Sequence, residues 1–425
     1  MSHRLAVLLA LLIAVSAACG PAGSPSDVEL AIADVPRASV SPTDASAAAT
    51  AVNAFGLDLY RRVARPGDNV VVSPASVAIA LAMARAGARG ETAAEMDAVL
   101  RSLGADEHAD WVNALDQALA GRSGTFRDAG GQELDVTLRI ANAPFAQRDM
   151  ALLPAFLDAL ASRFGAGLRL VDYRRDAEAA RRLINGWVSD QTEKRIPELL
   201  APGVLSVDTR LTLVNAIYLK APWLTPFGAE ATTPGPFTRA DGSRVDVPMM
   251  SLGASLSYAE GTGWRAVELP YVGGSLALTV IVPDDLAAFE AKLTPELLAA
   301  VTGALGPRSV QLALPRFGID TAADLAEALA ALGMPSAFDP ARADFSGITA
   351  EARLFISNVI HQANIDVDEK GTEAAAATAV VMVGTGAPAE PVTLRVDRPF
   401  LFALRDLPTG AVLFLGRVAD PSERG

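Results

Sequence analysis

The chain holds a single cysteine, Cys19. That excludes any internal disulfide, so the fold is held by packing alone. Histidine is nearly as scarce: His3 sits in the N-terminal segment, leaving His108 and His361 for the body. One thiol and no paired histidines leave nothing from which a zinc site can be assembled. No G-x-S-x-G turn occurs, so the commonest signature of a serine hydrolase is missing. There is no basic run, and the net charge is −13. Nucleic-acid and polyanion binding are driven by concentrated Lys and Arg, so neither partner is expected. Asp366-x-Asp368-x-x-Gly371 begins like a calcium loop, but Lys370 and Ala377 fall where ligands are required. No metal and no cofactor are expected.

What is present is ample material for a core. Of 425 residues, 51% are hydrophobic and 20% are charged, which is an ordinary globular balance and not that of a disordered chain. Leu5 to Val15 is an unbroken apolar run, short for a bilayer span, and residues 1–18 read as a signal peptide. Ser16-Ala17-Ala18-Cys19 resembles a bacterial lipobox, with Ser16 where an aliphatic residue is usual. The alternative is an ordinary signal peptide cleaved nearby. On the lipobox reading Cys19 carries a lipid and the protein is exported, extracellular or periplasmic, and anchored to a membrane. Residues 19–50 are rich in Ala, Ser, Pro and Asp without a sustained period and read as a flexible tether.

From residue 51 one domain is expected to run to 425. Val52, Phe55, Leu59 and Val63 recur at helical spacing up to Pro66-Gly67. Ser73-Pro74 supplies a capping hydroxyl and a proline at the first helical position. Helical patterns continue through Glu91–Leu103, Leu153–Phe164 and Ala177–Glu193. In the second half Leu211–Leu219, Leu276–Val282, Val310–Leu314, Arg353–Val367, Leu401–Leu404 and Ala411–Val418 read as strands. Helices first and strands later, without βαβ alternation, predict a mixed α+β fold around large sheets.

One segment fits neither pattern. No charge occurs between Glu373 and Glu390; alanines favouring helix give way to Thr and Val favouring strand. At a period of two, Thr372, Ala374, Ala376, Thr378, Val380 and Met382 form a face that could be buried in a sheet. A surface helix followed by a loop fits the same residues.

Asp368-Glu369-Lys370-Gly371-Thr372-Glu373-Ala374-Ala375-Ala376-Ala377-Thr378 resembles the reactive-loop hinge of the serpin family. Further likenesses run along residues 51 to 421. They include Asn69-Val70-Val71-Val72-Ser73-Pro74-Ala75-Ser76, Ile184-Asn185-Gly186-Trp187-Val188 and Leu213-Val214-Asn215-Ala216-Ile217-Tyr218-Leu219-Lys220-Ala221-Pro222-Trp223. Leu332-Gly333-Met334, Ala343-Asp344-Phe345-Ser346-Gly347, Arg398-Pro399-Phe400-Leu401-Phe402 and Phe414-Leu415-Gly416-Arg417-Val418 complete them.

The resemblance implies a serpin fold, with a large central sheet, smaller sheets, surrounding helices and an exposed reactive-centre loop over about 369–391. It also implies a monomeric inhibitor, not an enzyme, whose partner is a serine protease trapped as a covalent acyl complex. The cut loop would enter the main sheet as an extra strand. Gly371 would give the hinge its freedom and Thr372 would enter first, where a charge should stall entry. Ser73, Ser76, Asn215 and His361 map to a polar cluster beneath the point where the sheet opens. Trp223, Arg316 and Glu369 map to its top, where an Arg316–Glu369 charge pair is expected. The family's spacing, about fourteen residues beyond the hinge glycine, puts the scissile bond at Thr385-Gly386, with Val383 or Met382 as alternatives. No Arg or Lys is nearby, which points to an elastase-like or subtilisin-like target. The rival reading is a serpin-fold binding or chaperone protein that does not inhibit.

Overall fold

A computed structural model describes residues 28–423 apart from 103, 129, 352 and 374–389. Its described strands join into two sheets. The first contains β1 (Glu29–Ala31), β2 (Gly124–Arg127), β3 (Glu133–Gln147), β4 (Leu168–Val171), β5 (Leu211–Pro222), β6 (Phe317–Asp324), β7 (Asn358–Val367) and β8 (Gly371–Thr372). Their order is β1-β4-β3-β5-β8-β7-β6, with β2 beside β3. The second has nine strands, from Val392–Arg395 at one edge to Val70–Val72 at the other.

The centre of the first sheet is a long antiparallel pairing of β3 with β5, from Thr137↔Lys220 to Ala146↔Leu211. β5 is buried along nearly its whole length, which explains why it reads as a continuous apolar run and not as an alternation. Its two faces are nonetheless used differently, as the strand period requires. Val214 and Ala216 meet Ile184, Trp187 and Val188 of α3 (Ala177–Gln191) on one face. Leu213 and Ile217 share a core with Ile79 and Met83 of α2 (Pro74–Gly87) on the other. α2 is buried nearly all round, and its run of Ala, Val, Ile and Leu permits this. Ser73 caps it by accepting the amide hydrogen bond of Ser76, and Pro74 sits in the first turn.

The tether expected over residues 19–50 is contradicted from Val28 onward. β1 pairs with β4 at the sheet edge, and α1 begins at Pro42 and runs to Val63, ten residues before the first periodic apolar position. Its early turns are Ala-rich, and Ala45, Ala48 and Ala49 are buried, so small side chains pack a helix where no large apolar period exists. β3 lies in the half that reads as helical, its pattern broken by Asn142 and Pro144. The helix at Ala105–Ala120 has no counterpart in the sequence reading, and β7 begins at Asn358 instead of Arg353.

Candidate functional site: a sheet opened at one end

β5 and β7 are parallel neighbours in register from Asn358↔Thr212 to Ala363↔Ile217. Beyond that they part, and β8 stands between them. Thr372 pairs with Ala221 on one side and Val367 on the other, antiparallel to both. The chain reaches this position by doubling back directly after β7. The Asp368 carboxylate accepts the amides of Lys370 at 2.8 Å and Gly371 at 3.2 Å, and the Asp368 amide donates to the Gly371 carbonyl. Gly371 has φ +155°, and a Cβ there would fall 2.1 Å from the Ala221 carbonyl oxygen. The position therefore needs glycine for close backbone approach, beyond the swing that the sequence suggests.

Thr372 is 1% exposed, and its hydroxyl shares a 2.6 Å hydrogen bond with that of Tyr271. Burial pushes the Tyr271 phenol up, so it stays neutral. Tyr271 stacks on Trp223 with ring centroids 4.4 Å apart. Trp223 in turn donates its indole N–H to the Asp368 carbonyl at 2.9 Å and its amide to that of Lys370. Glu369 is held from the other side. Arg316 Nε lies 2.8 Å from both of its carboxylate oxygens, and the Thr232 hydroxyl donates to it as well. Burial alone would raise this carboxyl, but the Arg316 and Thr232 hydrogen bonds prevail and hold it below the ordinary range.

Lower on the same two strands, where β5 and β7 are still paired, lies an uncharged cluster. His361 Nε2 accepts the Ser73 amide at 3.1 Å, and its Nδ1–H donates to the Asn215 side-chain oxygen. A neutral imidazole has one donor and one acceptor, and both are used. Burial lowers its pKa to about 3. Asn215 donates to Ser76 Oγ and, at 2.6 Å, to Asn142 Oδ1, which also accepts from Ser76. The four residues mapped here from the sequence are thus brought together on β5, β7 and the start of α2. Asn142 completes the cluster and was missed. It stands directly opposite Asn215 in the β3–β5 register, which only the pairing reveals. Tyr271, which bridges to Trp223, was missed for the same reason, and Thr232 because it reaches Glu369 from a short turn 137 residues away in sequence. Ala374, Ala375, Ala376, Ala377 and Thr378, the bond assigned to Thr385–Gly386, its alternatives Met382 and Val383, and Cys19 lie outside the described residues. Among the described residues no cluster of acidic, His or Cys side chains could hold a metal, and no helix is long and apolar enough to cross a membrane.

A sheet whose central strands are parted by the first residues of a long connecting segment defines a class, proteins that switch by taking a loop into a sheet. The chain belongs to the serpin family: the model of the Serpin (serine protease inhibitor) family matches residues 50–421. It is 37% identical over 380 residues to a leukocyte elastase inhibitor of Sus scrofa, covering 86% of this chain and 97% of that protein. Iripin-8 of Ixodes ricinus is 36% identical, with 87% and 92% covered. The native thermophilic serpin Tengpin superposes with a TM-score of 0.79 at 26% identity, covering 91% of this chain and 96% of that one. The chain is accordingly a protease inhibitor and not an enzyme.

Proposed function

We propose that the protein traps an elastase-like or subtilisin-like serine protease as an acyl-enzyme, by drawing the cut loop between β5 and β7. The observation that carries this reading is Thr372, already seated between Ala221 and Val367 with the strands parted on either side. Pairing about a dozen further residues at ~0.5–1.5 kcal/mol per hydrogen bond would release on the order of 10 kcal/mol. That is comparable to a domain's whole stability, enough to drive the trap without a catalytic residue. Small uncharged residues around Thr385 suit a shallow primary pocket, and the relatives named leukocyte elastase inhibitor support the same class. Ser73, Ser76, Asn215 and His361 would gate the parting of β5 and β7; Trp223 and Arg316 would guide entry at the top.

The test is to mix the protein with elastase-like, subtilisin-like and trypsin-like proteases. An SDS-resistant complex with the first two is expected, and the mass of the released peptide identifies the cut bond. Thr372→Arg should be cleaved as a substrate without complex, because a guanidinium would be desolvated without a counter-charge in the buried seat beside Tyr271. Cleavage of the wild type without any complex would favour a non-inhibitory binding protein. The apolar run Leu5–Val15 followed by Cys19 supports export and attachment through a lipid on Cys19. The lipid would appear as added mass on the N-terminal peptide, and Cys19→Ser would abolish it.

A further inference from the structure

We propose that Arg195 is a positioning residue for the inhibitory reaction, clipping the hinge at its first rung by bonding both Asp366 of β7 and Glu373 of the hinge. This rests on the loop-insertion reading above and concerns what holds the hinge where it is.

The clip comes from the turn that follows α3, the helix packed on β3 and β5. Glu193 and Lys194 have φ of +51° and +67°, a reversal that side-chain-bearing residues rarely make. The turn is tied down by the Lys194 amide on the Ser189 carbonyl, the Arg195 amide on that of Thr192, and the Thr192 hydroxyl accepting the Ile196 amide. It therefore aims Arg195 back over the sheet. The guanidinium bonds Asp366, and its Nε lies 2.8 Å from the Glu373 carboxylate. Asp366 stands on the strand bordering the gap, and its carbonyl accepts the Glu373 amide at 3.1 Å. Glu373 itself has φ +51°, so the backbone turns out of strand geometry immediately after Thr372. Taking residue 374 into the gap requires residue 373 to become extended, and Arg195 must then release it.

The groups around Glu373 are Asp366 from β7 and Glu193 and Arg195 from the turn. Arg139 of β3 lies 3.1 Å from Glu193, and the Tyr218 hydroxyl of β5 donates to Glu193 at 3.3 Å. Asp366, Glu193 and Glu373 thus outnumber Arg195 and Arg139. The Glu373 side chain is only 13% exposed. Burial, reinforced by Asp366 and Glu193, raises its carboxyl to about 7 against the opposing pull of Arg195. A carboxyl raised in the seated hinge favours that seat fully at pH below its ordinary value. The advantage is lost as pH rises through about 7, where Glu373 ionises. Without Arg195 the ionised group would face Asp366 and Glu193 alone, and the hinge should leave.

The experiment is amide hydrogen exchange over residues 366–373 of the full chain at pH 5 and pH 8, expressed as protection factors. Arg195→Ala should lower protection at least tenfold at pH 8 and little at pH 5, and Arg195→Lys should restore part of it. Glu373→Gln should stay protected at both. Unchanged protection over Leu276–Pro283 shows that each variant is folded; should Arg195→Ala fail to fold, Glu373→Gln decides alone. Protection within twofold of wild type in Arg195→Ala at pH 8 would overturn the proposal. So would a wild-type pH response that persists in Glu373→Gln. No protease is present, so a protein that failed to form complexes would sink the inhibitor reading while leaving this measurement unaffected.

Discussion

Two polar sites lie along β5 and β7, one where the strands are paired and one where they part, and they are built on opposite principles. The lower one, around His361, is uncharged and hydrogen-bonded as one network, and all its members but Asn142 are fully buried. The upper one, around the hinge, is a partly exposed set of carboxylates and guanidiniums. Between pH 7 and 5 acid acts on His361 and Glu373 in opposite directions. His361 has its pKa lowered by burial, so unfolding in acid releases a group that takes up a proton and the native state loses stability. Glu373 has its pKa raised, so acid favours the seated hinge. Falling pH from 7 to 5 should therefore weaken the paired centre of the sheet while favouring the seat of Glu373; Glu369, held low by Arg316 and Thr232, loses its contribution only at lower pH.

The largest expected effect comes from breaking the lower site. Asn215→Ala removes the acceptor of the His361 Nδ1–H, leaving that buried donor without a partner, and the donor to Ser76 and Asn142, which keep their bonds to each other. A loss of about 3 kcal/mol is expected in denaturant unfolding. A change below ~1 kcal/mol would mean that the cluster contributes no more than ordinary packing. Next is the acid response. Between pH 6.5 and 5 a histidine held neutral by burial loses its stabilising contribution by about 2 kcal/mol. His361→Gln should make that part of the stability profile shallower. His108, lowered by burial to about 4, contributes a similar slope, so the single variant should remove about half of it.

How much of this was legible in the sequence follows from what each feature depends on. Gly371, Thr372 and Glu369 sit in one contiguous run, and a contiguous run survives translation into residues. Ser73-Pro74 likewise announces a capped helix locally, and that is how α2 begins. Asn142 and Arg195 owe their places to pairing register and to a turn with two positive-φ residues, and neither leaves a periodic trace. Residues 28–50 misread as tether because alanine packs without the large apolar side chains that periodicity detects. Tertiary contact decided the places of Asn142 and Arg195, whereas the early turns of α1 combine alanine's helix propensity with packing of small side chains.

A smaller effect should separate the upper site's two arginines. Arg316→Ala leaves the Glu369 carboxylate, itself 8% exposed, with only the Thr232 hydroxyl from its side-chain partners. Because Arg316 is one-third exposed, about 1.5 kcal/mol is expected, less than for a fully buried pair. Glu369 should then titrate higher than in the wild type, an outcome that carboxyl NMR would read. If its titration stays put, Arg316 is not what holds the carboxyl down.

The smallest change at neutral pH is a gain, and it tests whether hydrogen bonding is what distinguishes the lower site. His108 is as buried as His361, yet neither of its ring nitrogens has a hydrogen-bond partner among the described residues. An unpaired buried polar group costs about 1–3 kcal/mol, so His108→Leu should stabilise the protein by ~1 kcal/mol at pH 7.5 after some loss of fit. At pH 5 the gain should grow by about 2 kcal/mol, because leucine removes the protonation that favours the unfolded chain. His361→Leu should do the reverse at neutral pH, since it orphans the Ser73 amide and the Asn215 oxygen. The two substitutions are chemically identical, and denaturant midpoints at both pH values would show whether the partners or the burial decide the sign.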